Sequence, residues 1–133
     1  MNKYIVLNQY RGWEISRPIV FGEKHTGVIL GLNVHGDLLI AHNHIDTGPA
    51  VVNFEQFLAG YSNYSLRPPT LDIDTILYRV EMLLQSGKQY DFVSFNCQHF
   101  SSLVVDGKDE SRGIRNAGIL LSLIIGLSIL GKR

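Results

Sequence analysis

Residues 25–42 read HTGVILGLNVHGDLLIAH, two apolar runs flanking a turn-like NVHGD. Such runs, separated by Asn33, Gly36 and Asp37, predict a β-hairpin. The hairpin restricts the fold, because antiparallel arms bring the start of one strand beside the end of the other. His25 opens the first arm and His42 closes the second, so the two imidazoles are expected side by side. His44 lies two residues further on and, on a continuing strand, shares the face of His42.

The elements around the hairpin are mixed. Before it come the strand-like runs YIVL and PIVF, broken by Gly12, Pro18 and Gly22. After it, NFEQFLAG predicts a short helix capped by Asn53 and stopped by Gly60, with Phe54, Phe57 and Leu58 on one face. Residues 62–67 predict a short strand before Pro68 and Pro69. A longer helix is expected from Asp72 or Asp74 to Gly87, since Ile76, Leu77, Val80, Leu83 and Leu84 recur at helical spacing. A YDF strand or turn precedes a last helix, NCQHFSSLVV, with Phe100, Leu103 and Val104 inward. Asn96 is placed to cap that helix, which puts Cys97 in its first turn. The expected class is α+β, a small antiparallel sheet packed on helices.

A length of 133 residues suits one domain, expected over residues 1–113. Twelve basic and twelve acidic side chains give no basic excess, so no nucleic-acid partner is expected. The single cysteine excludes an intrachain disulfide. The N-terminus lacks the apolar core of a signal peptide, and the expected compartment is cytoplasmic.

Residues 114–133 depart from this average. From Ala117 to Leu130 the chain reads AGILLSLIIGLSIL without a charge, flanked by Arg112 and Arg115 before it and Lys132 and Arg133 after. A bilayer span takes roughly 20 apolar residues, so the segment is short for one. It also has no polar face for a surface helix. Gly118, Ser122 and Gly126 form a ridge of small residues, as membrane helices use for close approach. The segment is expected to be a hydrophobic C-terminal helix that anchors the chain to a membrane; the competing expectation is a helix docked on the domain or on a partner.

Cys97 is the residue with the most reactive side chain. A thiol attacks carbonyls as the thiolate, so its ordinary pKa of about 8.5 has to fall. A helix N-terminus and an adjacent imidazolium both lower it. The first is expected from the helix that Cys97 begins, and the second from His25, with His42 as the group that orients the imidazole. The backbone N–H groups of Cys97 and Gln98 are the expected oxyanion donors.

FNCQHF, the His-opened strand HTGVILG and a second His closing the next strand together resemble the lecithin:retinol acyltransferase (LRAT)-like family, which includes phospholipase A/acyltransferases. The family's cysteine box usually reads NCEHF after a Tyr-containing segment; here YDFVSFNCQHF differs in having Gln98. FEQFLAGY and GKDESRGIRNA are also similar to bacterial members, and the likeness extends over roughly residues 10–117. The resemblance implies a permuted papain-like (NlpC-type) fold, Cys97 as nucleophile, His25 as base and His42 as third member. His44 is the alternative third member, because the hairpin is several residues longer than the family usually has. It further implies a thioester mechanism without metal or organic cofactor, acyl lipids as substrates, and a lipid-seeking C-terminal segment.

The other candidates have plainer expectations. His35 sits in the hairpin turn and is expected in solvent. His99 lies roughly 200° round the helix from Cys97 and is expected to pack or hydrogen-bond. Trp13 and the other aromatic residues are expected in the core. Zinc could take His25, His42, His44 and Cys97 as ligands, but no CxxC or HxxxH pair supports it, so no metal is expected. A cysteine peptidase or amidase on the same fold, and a non-catalytic membrane-associated interaction module, are the alternative functions.

Overall fold

The structure, a computed structural model, describes residues 2–19, 23–109 and 111. Over the described residues it is α+β, with one five-stranded antiparallel sheet and four α-helices. The strands are β1 (Glu14–Pro18), β2 (Lys24–Leu32), β3 (Leu38–His44), β4 (Gly48–Asn53) and β5 (Ser65–Arg67), in the order β4-β3-β2-β1-β5. The helices are α1 (Lys3–Leu7), α2 (Phe54–Leu58), α3 (Ile73–Gln85) and α4 (Cys97–Asp106), with a 3-10 turn at Asn8–Tyr10.

The hairpin forms as expected from β2 and β3, and its turn is held by Asn33, whose Oδ1 accepts the N–H groups of His35 and Asp37. His35 is exposed there. Both faces of the sheet are covered, which is why β2 is a continuous apolar run rather than an alternating one. Alternation then sorts the side chains by face. Ile15, Ile29 and Ile40 pack on Phe54 and Phe57 of α2, while Val28 and Ala41 pack on Ile76 and Val80 of α3 and Phe100, Val104 and Val105 of α4.

Local capping explains the helices. Asn53 and Gln56 form a capping box at α2, and Ala59, at φ 51°, takes the left-handed C-terminal position with Gly60, at φ 90°, directly after it. Asp72 caps α3 by accepting from the Thr75 N–H. Asn96 caps α4 through its Oδ1, which accepts from the N–H groups of Gln98 and His99, while His99 Nδ1 accepts the N–H of Asn96 in return. The hydrogen-bonding part expected of His99 is therefore this reciprocal cap.

Three expectations need correction. YIVL is helical, not a strand: Asn2 caps it, and Leu7 with Tyr4 faces the core while Ile5 is 53% exposed, so a cap and an i, i+3 face outweigh β-propensity. Leu103 is half-buried, and Val105 takes its place in the core. The strand before the hairpin is Glu14–Pro18, so PIVF contributes only its first residue, and Val20 and Phe21 lie outside the described residues. The apolar segment of residues 114–133, with Arg112 and Arg115, also lies outside them. Among the described residues no helix is long and apolar enough to cross a membrane.

Candidate active site

Gly27 of β2 pairs with His42 of β3, so His42 is the diagonal neighbour of His25 across the hairpin. The diagonal contact closes: His25 Nε2 and His42 Nδ1 stand 2.8 Å apart in a buried hydrogen bond. His44 joins the cluster, its ring 5.7 Å from that of His25, but its Nδ1 accepts the Asp46 N–H at 3.0 Å within its own turn. Of the two candidates for third member, the chain therefore bonds His42 to His25. Phe57 stacks on the His25 ring at 5.2 Å and 28°, sealing the pair from below.

Cys97 reaches the same end of β2 from α4. Its thiol donates to the Lys24 carbonyl at 3.8 Å, one residue before His25, and the Gln98 side-chain amide donates to that carbonyl at 3.3 Å. The hydrogen bonds of the resting site thus run from imidazole to imidazole and from thiol to carbonyl. Among the described residues His25 Nδ1 makes no hydrogen bond. Thr26, pointing to the opposite face from His25, fixes the first turn of α4: its hydroxyl is 2.9 Å from the Cys97 carbonyl and 2.8 Å from Ser101 Oγ. Ser101 in turn donates to Glu14 Oε2 at 2.6 Å, and Glu14 Oε1 accepts from Arg67 at 2.9 Å. Asn43, between the two histidines of β3, donates to the Phe95 carbonyl at 2.8 Å and so ties the hairpin to the turn before Cys97.

Burial sets the protonation states. Desolvation, then the neighbouring His42, Arg17 and His44, lowers His25 to about 3, and desolvation with His44 and Arg17 lowers His42 to about 4. Both rings are neutral near pH 7. Burial also pushes the Cys97 thiol up, against hydrogen bonds available from Thr26 and from the backbone N–H groups of Cys97 and Gln98. This differs from the expectation of a lowered thiol: the helix N-terminus is present, but removing water from an anion outweighs it. The Gln98 N–H, expected at an oxyanion, donates to Asn96 Oδ1 at 2.9 Å instead.

Metal binding does not fit this geometry. His25 Nε2 and His42 Nδ1 are aimed at each other at hydrogen-bond distance, whereas zinc would sit about 2.0–2.1 Å from each nitrogen with both lone pairs directed at the ion. Among the described residues no cluster of three His, Cys, Asp or Glu side chains is placed to hold a metal ion.

Arg17, Thr26, Asn43 and Glu14 escaped the sequence reading. Thr26 and Asn43 alternate with His25 and His42, so the period of two places them on the face that turns to α4. That parity was the available signal. Arg17 and Glu14 carry none, since the groups that bury them, the Phe57 carbonyl and Ser101, lie 40 residues or more away.

No family model matches the chain, and no curated protein or solved structure matches it either.

Proposed function

We propose that the chain is a cysteine-dependent acyltransferase or hydrolase that works through a thioester on Cys97 and acts on lipid acyl esters. The observation that carries this reading is the buried His25–His42 hydrogen bond one residue from the carbonyl that receives the Cys97 thiol. The proposal includes a permuted papain-like, NlpC-type arrangement of the LRAT-like kind. It also includes a cytoplasmic location, with residues 114–133 as an apolar anchor that associates the protein with a membrane.

The protonation states favour concerted chemistry over a preformed ion pair. The neutral thiol turns from the Lys24 carbonyl to His25 Nδ1 and gives up its proton as Sγ attacks the ester carbon. A C–S bond forms and the carbonyl electron pair moves to oxygen, with the Cys97 N–H as the nearest backbone donor. The imidazolium then donates from Nε2 to His42 Nδ1, the bond already in place at 2.8 Å. His25 returns its proton to the departing alkoxide, and water or an acceptor amine or hydroxyl resolves the thioester. No metal or organic cofactor enters these steps.

Incubation with a panel of phospholipids, followed by intact-mass detection of acyl-Cys97, tests the proposal. Wild type gains one acyl mass and Cys97→Ala gains none; wild type without an adduct from any lipid ester rejects it. One observation favours a second reading, a non-catalytic interaction module: the buried thiol is bonded to a backbone carbonyl rather than to His25. That reading predicts no adduct and unchanged vesicle flotation in Cys97→Ala.

A further inference from the structure

Helices α2 and α4 begin with the same device. At α2, Gln56 Oε1 accepts the Asn53 N–H at 2.9 Å, while Asn53 Oδ1 accepts the Gln56 N–H at 2.8 Å. At α4, His99 Nδ1 accepts the Asn96 N–H at 3.1 Å, while Asn96 Oδ1 accepts the His99 N–H at 3.1 Å. Glu and Gln are the usual third residues of such a box. The chain therefore closes one box with an amide that never titrates. It closes the other, the one that encloses Cys97 and Gln98, with an imidazole that does.

Only the neutral ring closes this box. Nδ1 accepts through its lone pair, so the ring's one proton sits on Nε2; the cation carries a proton on both nitrogens and has no acceptor. Protonation sets a ring N–H against the Asn96 N–H and puts positive charge in the first turn of α4, where the helix terminus is already positive. Asn96 and His99 are 6% and 7% exposed, so little water is at hand for the released N–H. Among the described residues the charged groups that act on His99 are Lys88, Asp91 in the turn before α4 and Asp109 after it. Burial, with Lys88, outweighs the two carboxylates and holds the ring below the ordinary imidazole range, so the box is closed near pH 7.

The box reaches the thiol through the backbone. Asn96 is held at its N–H by His99, at Oδ1 by the Gln98 and His99 N–H groups, and at its carbonyl by the Phe100 N–H at 3.1 Å. Cys97 follows directly, so the direction of Sγ is set from a residue fixed at three points. Opening the box frees Asn96 to rotate about its N–Cα bond. We propose that His99 is a positioning residue for Cys97 that works only as the neutral ring, and that protonating it opens the box and slows the reaction of the thiol. Its part in acyl transfer rests on the reading of Cys97 as nucleophile.

The test follows three full-length proteins as the pH is lowered from 7. They are wild type, His99→Gln, which closes the box as Gln56 does, and His99→Ala, which has no acceptor. Magnetic resonance of wild type reads the His99 ring and the Asn96 amide together, and the amide should shift with the midpoint of the ring. The rate of acyl-Cys97 formation in wild type is divided by that in His99→Gln, so that the common effect of His25 and His42 cancels. This ratio should be constant above the midpoint and fall about tenfold across it, to the level of His99→Ala, as for the loss of a cap. A ratio that stays flat across the midpoint overturns the proposal. So does an Asn96 amide that ignores the ring, and so does unfolding of wild type before the ring titrates. Where no ester acylates Cys97, iodoacetamide alkylation supplies the same ratio. A fall there rejects the thioester chemistry and leaves His99 in its role, whereas a flat ratio rejects both. Should His99→Gln fail to fold, the wild-type amide and His99→Glu, which also closes the box, decide by the same criteria.

Discussion

Acidification from pH 7 to pH 5 acts on this protein through two buried rings. His25 and His42 have folded-state values near 3 and 4, below the 6.5 of an exposed imidazole. The unfolded chain therefore binds protons at these rings first, and stability falls as the pH drops below that value while staying flat above it. Between pH 7 and pH 5 each ring forfeits about 2 kcal/mol, together about 4 kcal/mol, a large share of the 5–15 kcal/mol that domains usually have. The loss is complete once the pH has passed the folded values, near 3 and 4. Urea unfolding at a series of pH values measures it, with His25→Gln/His42→Gln, uncharged throughout, as the reference. The double variant can be less stable at pH 7; the slope between pH 7 and pH 5 is the quantity compared, because carboxylates contribute equally to both proteins. Equal slopes would refute the assignment of these rings as buried and neutral.

The thiol offers a second check: alkylation of Cys97 by iodoacetamide should show a midpoint above the ~8.5 of a free cysteine, and a lower midpoint contradicts the dominance of burial over the helix terminus. Gly27→Ala places a Cβ 2.8 Å from Ile40 Cγ2 and 2.9 Å from Phe57 Cε1. The overpacking should cost about 2 kcal/mol by urea titration and lower acyl-Cys97 formation, since Phe57 supports His25. Asn96→Ala removes the cap that takes two N–H groups and should cost about 2 kcal/mol, while releasing the Gln98 N–H; an unchanged unfolding midpoint would show that the cap is dispensable.

The hairpin and its two histidines were legible because their signals are local: apolar runs, a turn set by Asn33 and Gly36, and His25 and His42 at matching ends. The caps at Asn53, Asp72 and Asn96 were legible for the same reason, each side chain bonding within three residues. Strand β1 was hidden by its own composition. Glu14, Ser16 and Arg17 are buried polar residues whose partners Ser101, Ser65 and the Phe57 carbonyl come from distant elements, so no hydrophobic period marks the strand. The thiol's resting state depends on the same long-range contacts. Sequence places Cys97 at a helix start, but only the packing of β2 against α4 shows how little water remains there.

Ser111 gives the chain's route after α4 a mechanical meaning. Gly107 turns the backbone, and Ser111 returns to the beginning of the helix, where its hydroxyl is 3.0 Å from Asn96 Nδ2 and 3.2 Å from Gln98 Oε1. A pull applied at residue 111 therefore arrives at the two residues that flank Cys97 rather than at the helix's far end. A probe attached at Ser111 is a handle on the surroundings of the thiol, and a neutral point of attachment has to be sought elsewhere, for instance at the exposed turn of residues 34–37.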